Sequence, residues 1–328
     1  MNHFYTNKPQ GWQPLSEEKR LGYIFSAIGM ALIAYLLLSM GMYYLTNIFG
    51  MLLGGDLWFY FPPVVLQLIQ SGIYIISLVV PFVALSKSSG YSAAAMLKKS
   101  EKSFSFGAAC VAMCIGAAMV GNVFNDILTR LTSLIGFVPY YQPNGLGYGF
   151  WADLVIVITS TVIAALLEEF AFRGVLLKLL LPYGQGFALF SSALLFALCH
   201  GTAAQFIPAL ITGLALGYVV IATGTIRTAI IAHLVYNGLA MINSRMIMLL
   251  PHELSAIASA VITAIMLAVG IIGVISMCRQ EDCFKLGRGS TVLAPDQMFK
   301  AAVTSIPLLV VSIVFVIKIF MSFSPSYM

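Results

Sequence analysis

Runs of roughly 20 apolar residues, parted by short polar gaps, fill this chain almost from end to end, and no other feature limits its fold as severely. A helix of that length crosses the ~30 Å hydrocarbon layer of a bilayer with its backbone groups satisfied internally. The chain has 328 residues, of which 60% are hydrophobic and 9% charged, where a water-facing domain carries about 25% charged residues. The expected fold class is therefore all-α, a polytopic transmembrane helix bundle. A transmembrane β-barrel would show alternating segments of about 10 residues instead. The same composition argues against disordered, disulfide-scaffold and nucleic-acid-binding classes, so no nucleic acid partner is expected.

The periodicity predicts about nine spans, near 20–48, 62–86, 104–136, 150–180, 187–203, 205–223, 228–250, 254–278 and 301–323. The first is preceded by Glu17, Glu18, Lys19 and Arg20 and is too long for a signal-peptide core, so it reads as a retained helix. Lysine and arginine are held on the cytoplasmic side during insertion, and here they fall in alternate gaps. Lys8, Lys19 and Arg20 precede the first span, Lys87, Lys98, Lys99 and Lys102 follow the second, and Arg173 and Lys178 lie late in the fourth. Arg227 follows the sixth, and Arg279, Lys285, Arg288 and Lys300 fill the gap after the eighth. The gaps 49–61, 137–149 and 251–253 contain neither residue. That parity predicts a cytoplasmic amino terminus, an outside carboxyl terminus and an odd number of spans. One domain, 1–328, is expected, with three amino-terminal spans in 1–149, a core in 150–250 and two carboxyl-terminal spans in 251–328. The longest polar gap, 279–300, reads as a cytoplasmic linker, and Pro139 to Gly149 as an outer loop.

The five cysteines, Cys110, Cys114, Cys199, Cys278 and Cys283, have no zinc-site spacing and read as reduced thiols. Gly213 and Gly217 form a small-xxx-small pair that suits a helix contact. Asp126 and Arg130, four apart on the third span, read as a self-neutralising structural pair.

Ionisable groups at bilayer depth cost ~2.5–3.5 kcal/mol each on insertion scales, so each needs a partner, a wet cavity or a task. The fourth span carries Glu168-Glu169-Phe170-Ala171-Phe172-Arg173-Gly174. At ~100° per residue Glu169 and Arg173 share a face and pair, while Glu168 points away and must find its partner on another helix. Poor solvation makes a carboxylate a stronger base, which suits proton abstraction. His200 ends the fifth span with Phe196 one turn before it, and His233 and Asn237 project from one face of the seventh. At ~1.5 Å rise per residue, Glu168 falls ~15–18 Å, His200 ~20 Å and His233 ~8 Å from their cytoplasmic ends, which puts the group in the cytoplasmic half of the bilayer.

Glu168-Glu169-Phe170-Ala171-Phe172-Arg173, then Phe196-x-x-x-His200, then His233-x-x-x-Asn237, in that order on separate helices, resemble the motif set of the CPBP family, the CAAX proteases and bacteriocin-processing (ABI) proteins. The resemblance covers about 150–245. It implies an intramembrane glutamate endopeptidase with a four-helix catalytic core from the fourth to the seventh span and no cofactor. It assigns Glu168 and His200 to water activation, His233 and Asn237 to the oxyanion, and Glu169 and Arg173 to support of the helix geometry. The implied partners are the lipid bilayer and a membrane-embedded peptide or protein substrate, lipidated in some branches of the family.

Three other readings stay open on the residues alone. Glu168, His200 and His233 form a two-His, one-carboxylate set of the kind that binds catalytic zinc, although no His-Glu-x-x-His helix is present. Ser191, Ser192 and Cys199 share a helix with His200 and are the residues a covalent mechanism would use. A non-catalytic bacteriocin-immunity or scaffold role, or proton-coupled transport, would also employ buried acids and imidazoles. The loop-poor bundle points to a bacterial plasma membrane, with the site opening to the cytoplasm.

Overall fold

A computed structural model describes residues 16–57, 60–90, 96–139, 147–281, 283–291 and 293–325. Lys8 and most of the loop between Pro139 and Gly149 lie outside them. The described chain is a helical bundle of α1 (Glu17–Leu52), α2 (Pro63–Ser88), α3 (Phe104–Ser133), α4 (Phe150–Tyr183), α5 (Gln185–His200), α6 (Ala203–Thr223), α7 (Ile226–Leu249), α8 (His252–Gln280), α9 (Pro295–Val303) and α10 (Ile306–Met321). Three-residue strands β1 (Phe137–Pro139) and β2 (Phe323–Pro325) pair antiparallel, with Val138 opposite Ser324.

Every one of the nine expected segments is helical. By length and apolarity six helices qualify as spans on their own, α1, α2, α3, α4, α6 and α8, and a seventh if α9 and α10 are taken together. The remaining two differ for physical reasons. The α5 helix has only 16 residues, and α7 carries Arg227, His233, Asn237, Asn243 and Arg245, which lower its hydropathy. The gap 279–300 is more than a linker, because α9 begins inside it and meets α10 at a bend of 76°. Pro307 opens α10, where a first-turn proline lacks only an amide hydrogen that has no helical partner anyway.

The basic gaps gather on one face. Lys300 pairs with Glu18 at 3.1 Å and Lys102 with Glu281 at 2.7 Å. Thr225 Oγ1 donates to the Met96 and Lys98 carbonyls, and Gly287 O accepts from Gln185 N. These bonds join the start of α1, the α2–α3 connection, the α4–α5 turn, the α6–α7 turn and the segment after α8. The β1–β2 clasp and the Ser322 bond to Ala203 N mark the opposite face.

Lipid offers little hydrophobic drive for helix association, so close backbone packing at small residues carries it. Gly116 of α3 crosses Gly270 of α8 so tightly that a Cβ on Gly116 would lie 2.5 Å from the Gly270 Cα. Gly213 and Gly217 act as their spacing predicts: a Cβ at Gly213 would touch Ala193 and Phe196 at 3.2 Å, and one at Gly217 would strike Leu189. Asp126 and Arg130 differ from expectation. Both are exposed near the end of α3, and no ion pair between them forms within 4.0 Å. At a helix end each side chain reaches polar surroundings separately, so the pairing is not needed.

Candidate active site

The α4 helix is not α-helical throughout. Thr159–Ile163 and Glu169–Leu177 are π-helical, with one extra residue in the hydrogen-bonded turn. Such wide turns release backbone carbonyls and re-aim side chains, and they recur at functional sites. Two carbonyls in these turns take side-chain donors from other helices: Ser160 O accepts from Asn237 Nδ2 at 2.9 Å, and Phe172 O from Ser192 Oγ at 2.8 Å.

Glu169, at the start of the second π segment, is sealed from solvent at 0% exposure, as is Arg173. Glu169 Oε1 accepts from Arg173 Nη1 at 2.8 Å and from His233 Nδ1 at 2.9 Å. Arg173 also donates through Nη2 to the Gly213 carbonyl at 3.1 Å and stacks on Phe196, 4.4 Å from the ring centroid. The missing side chain of Gly213 lets the α6 backbone come this close. A buried charge without compensation would cost several kcal/mol, and here the guanidinium, carboxylate and imidazole compensate one another.

Glu168 has a different environment. Its side chain is 17% exposed. Oε1 accepts from the Tyr74 hydroxyl at 2.8 Å, and Oε2 lies 3.7 Å from His233 Nε2. The two neighbouring acids thus reach opposite nitrogens of one imidazole, one of them locked and the other partly open. The depth count places Glu168 and His233 on different levels, yet Oε2 and Nε2 lie 3.7 Å apart.

One ring nitrogen of each imidazole faces a fixed acceptor. A backbone carbonyl can only accept, so the 2.9 Å contact of His200 Nδ1 with Phe196 O places a hydrogen on Nδ1 and leaves the neutral ring a lone pair on Nε2. His233 Nδ1 donates to Glu169, so its Nε2 is an acceptor in the neutral ring and a donor only in the cation. Phe196 stands at the centre: its ring meets His200 edge-on at 4.7 Å, His233 at 6.2 Å and Phe172 at 5.1 Å.

Of the sequence-predicted residues, Glu169, Arg173 and His233 form one bonded network, and Glu168 approaches it at His233, 3.7 Å away. His200 borders it across Phe196 with no direct bond to Glu168, and Asn237 lies one turn along α7, tied to α4. Ser192 is occupied by the Phe172 carbonyl. Cys199 is a partly buried free thiol close enough to Glu168 to interact electrostatically. Among the described residues no group of three His, Cys, Asp or Glu is disposed to hold a metal ion.

Tyr74 and Ser160 were missed in the sequence. A signal for the first was present: Gln67, Ser71 and Tyr74 form a polar stripe at helical spacing on an otherwise apolar α2. Ser71 Oγ meets Thr159 Oγ1 at 2.8 Å, so that stripe faces α4. Ser160 contributes only its backbone carbonyl, which no side-chain pattern announces.

Residues 150–239 match the family model described as type II CAAX prenyl endopeptidase Rce1-like. No curated protein and no solved structure matches the chain. The match runs from the start of α4 into α7 and takes in every motif residue named above. This stretch is similar to that family, and the long apolar helices of the described residues are those of an integral membrane protein. The α1–α3 and α8–α10 helices lie outside the match.

Proposed function

On the premise of an Rce1-like core, we propose that the chain is a glutamate-type intramembrane endopeptidase that hydrolyses a peptide bond of a membrane-associated peptide or protein. The observation that carries this reading is the division of labour between adjacent acids: Glu169 is sealed and its Oε1 is held by both Arg173 and His233, whereas Glu168 is partly exposed and keeps an oxygen beside the His233 imidazole.

In this mechanism a water is held between Glu168 and His200 Nε2, the lone pair left free by the Phe196 carbonyl bond. Glu168 takes a proton as the water oxygen attacks the scissile carbonyl. Negative charge then develops on the carbonyl oxygen, and Asn237 and cationic His233 donate to it. Preorganised donors of this kind each contribute about 10²–10³ in rate. The proton passes from Glu168 to the leaving amine as the carbon–nitrogen bond breaks. Glu169 and Arg173 fix the imidazole of His233 without touching substrate.

The face that gathers the basic gaps is assigned to the cytoplasmic side of a bacterial plasma membrane. Beyond the site, toward the opposite face, α4 and α7 are pinned by Asn237 to Ser160 and by Arg245 Nη2 to Asp153 Oδ2 at 3.0 Å. A peptide reaching Glu168 between these helices therefore enters from the cytoplasmic side.

The test is mass spectrometry of membrane peptides from cells carrying the intact protein, Glu168→Gln or His200→Ala. Both variants are expected to fold and accumulate normally while the processed peptide disappears. Full biological function in both would refute the protease reading in favour of an immunity or scaffold role.

A further inference from the structure

The Rce1-like match begins at residue 150, yet the hydrogen bond that orients Glu168 comes from α2, well before it. Tyr74 donates its hydroxyl to Oε1 at 2.8 Å, and among the described residues this is the only hydrogen bond of either side chain. One oxygen of the carboxylate is thereby engaged. The other, Oε2, has no hydrogen bond among the described residues and is left on the His233 side at 3.7 Å from Nε2. A carboxylate side chain without such a tether rotates between rotamers, and either oxygen could face the substrate.

We infer that Tyr74 is the positioning residue of the reaction: its hydroxyl holds Glu168 so that Oε2 alone serves as proton acceptor, and α2 is thereby part of the catalytic unit. The inference rests on the proposed protease function. It makes the unit five helices, α2 and α4 through α7, instead of the four read from motif spacing. The placement has support along the helix. Ser71, nearly one turn earlier, bonds Thr159, and Phe82, two turns later, packs on Phe172 at 5.7 Å. The α2–α4 contact therefore straddles Tyr74, and the phenol does not swing freely. Around Glu168, Tyr74 comes from α2, Tyr35 from α1 within electrostatic range, Cys199 from α5 and His233 from α7, with Glu169 and Arg173 on α4 itself. Of these, Tyr74 alone donates a hydrogen bond to the carboxylate.

The experiment compares Tyr74→Phe and Glu168→Gln in purified full-length protein, in detergent and in vesicles, acting on a membrane peptide that the intact protein cleaves. The substituted phenylalanine ring would keep the packing and lose only the donor. Tyr74→Phe is expected to lower kcat about 10-fold or more with KM within twofold of the parent. The infrared carboxylate stretch assigned to Glu168, identified by its loss in Glu168→Gln, is expected to shift as one oxygen loses its donor. The spectrum is read on the folded fraction, isolated by size exclusion and checked by helical circular dichroism, so a loss of stability does not mimic the shift. An inactive Glu168→Gln alongside Tyr74→Phe with unchanged kcat or an unshifted band overturns this inference alone. A change confined to KM does the same. A fully active Glu168→Gln overturns the protease reading itself.

Discussion

Substituting each of two adjacent glutamates by glutamine should give opposite phenotypes. Glu169 is at 0% exposure and its Oε1 accepts from both Arg173 and His233. In Glu169→Gln an amide oxygen remains to accept a hydrogen bond, but the Arg173 charge stays buried, also at 0%, without its counter-charge and with the Gly213 carbonyl and the Phe196 ring as its other partners. Breaking a buried ion pair from one side costs about 3–5 kcal/mol, a shift of about two to nearly four orders of magnitude in the unfolding constant. Glu168→Gln keeps an acceptor for Tyr74 at a partly exposed position, and its cost is at most about 1 kcal/mol. Cys114, at 1% exposure on α3, provides an internal reporter. The assay follows alkylation of Cys114 by mass spectrometry during thermal unfolding in a fixed detergent, beside helical circular dichroism. Glu169→Gln is expected to expose Cys114 at a markedly lower temperature than the parent, and Glu168→Gln at nearly the same temperature but without activity. Equal shifts in the two variants would refute the division between a locked acid and a working one.

Asn237→Ala should lower kcat by about 10²–10³ with the helices intact; a loss under threefold would remove Asn237 from the oxyanion site. Cys199→Ser is expected to leave turnover unchanged, and a dead variant would restore a covalent mechanism. Activity should survive strong chelators, whereas loss that zinc reverses would establish the metalloprotease alternative. Gly116→Ala places a methyl 2.5 Å from the Gly270 Cα and should lower the melting temperature by several degrees, while Gly107→Ala, with nothing within 4 Å of the new Cβ, should not; similar melting of the two would show that the α3–α8 crossing is not close-packed.

Apolar length and helical spacing are local properties, and they carried a long way. Helix occurs at each of the nine apolar runs, the ninth of them divided between α9 and α10, because a backbone in hydrocarbon must satisfy itself within each segment. The Glu169–Arg173 pair was legible for the same reason, since residues four apart share a helix face. Asp126 and Arg130 have the same spacing and do not pair, which shows the limit of the rule. Spacing makes a contact available, and burial makes it necessary. The number of helices that qualify as spans was not legible, because α5 is short and α7 gives up hydropathy to its polar residues.

By itself the sequence determined the class of protein, the order of its helices, the gathering of lysine and arginine in alternate gaps and the ordered motif residues. These depend on composition and on separations along one chain. Only the tertiary structure decided that both glutamates address one imidazole, which nitrogen of each histidine faces a fixed acceptor, that Tyr74 reaches Glu168 from α2, and that Ser160 and Gly213 contribute backbone carbonyls. Each of these depends on how separate helices rotate and approach, and on wide turns in α4 that shift side chains off the regular helical register.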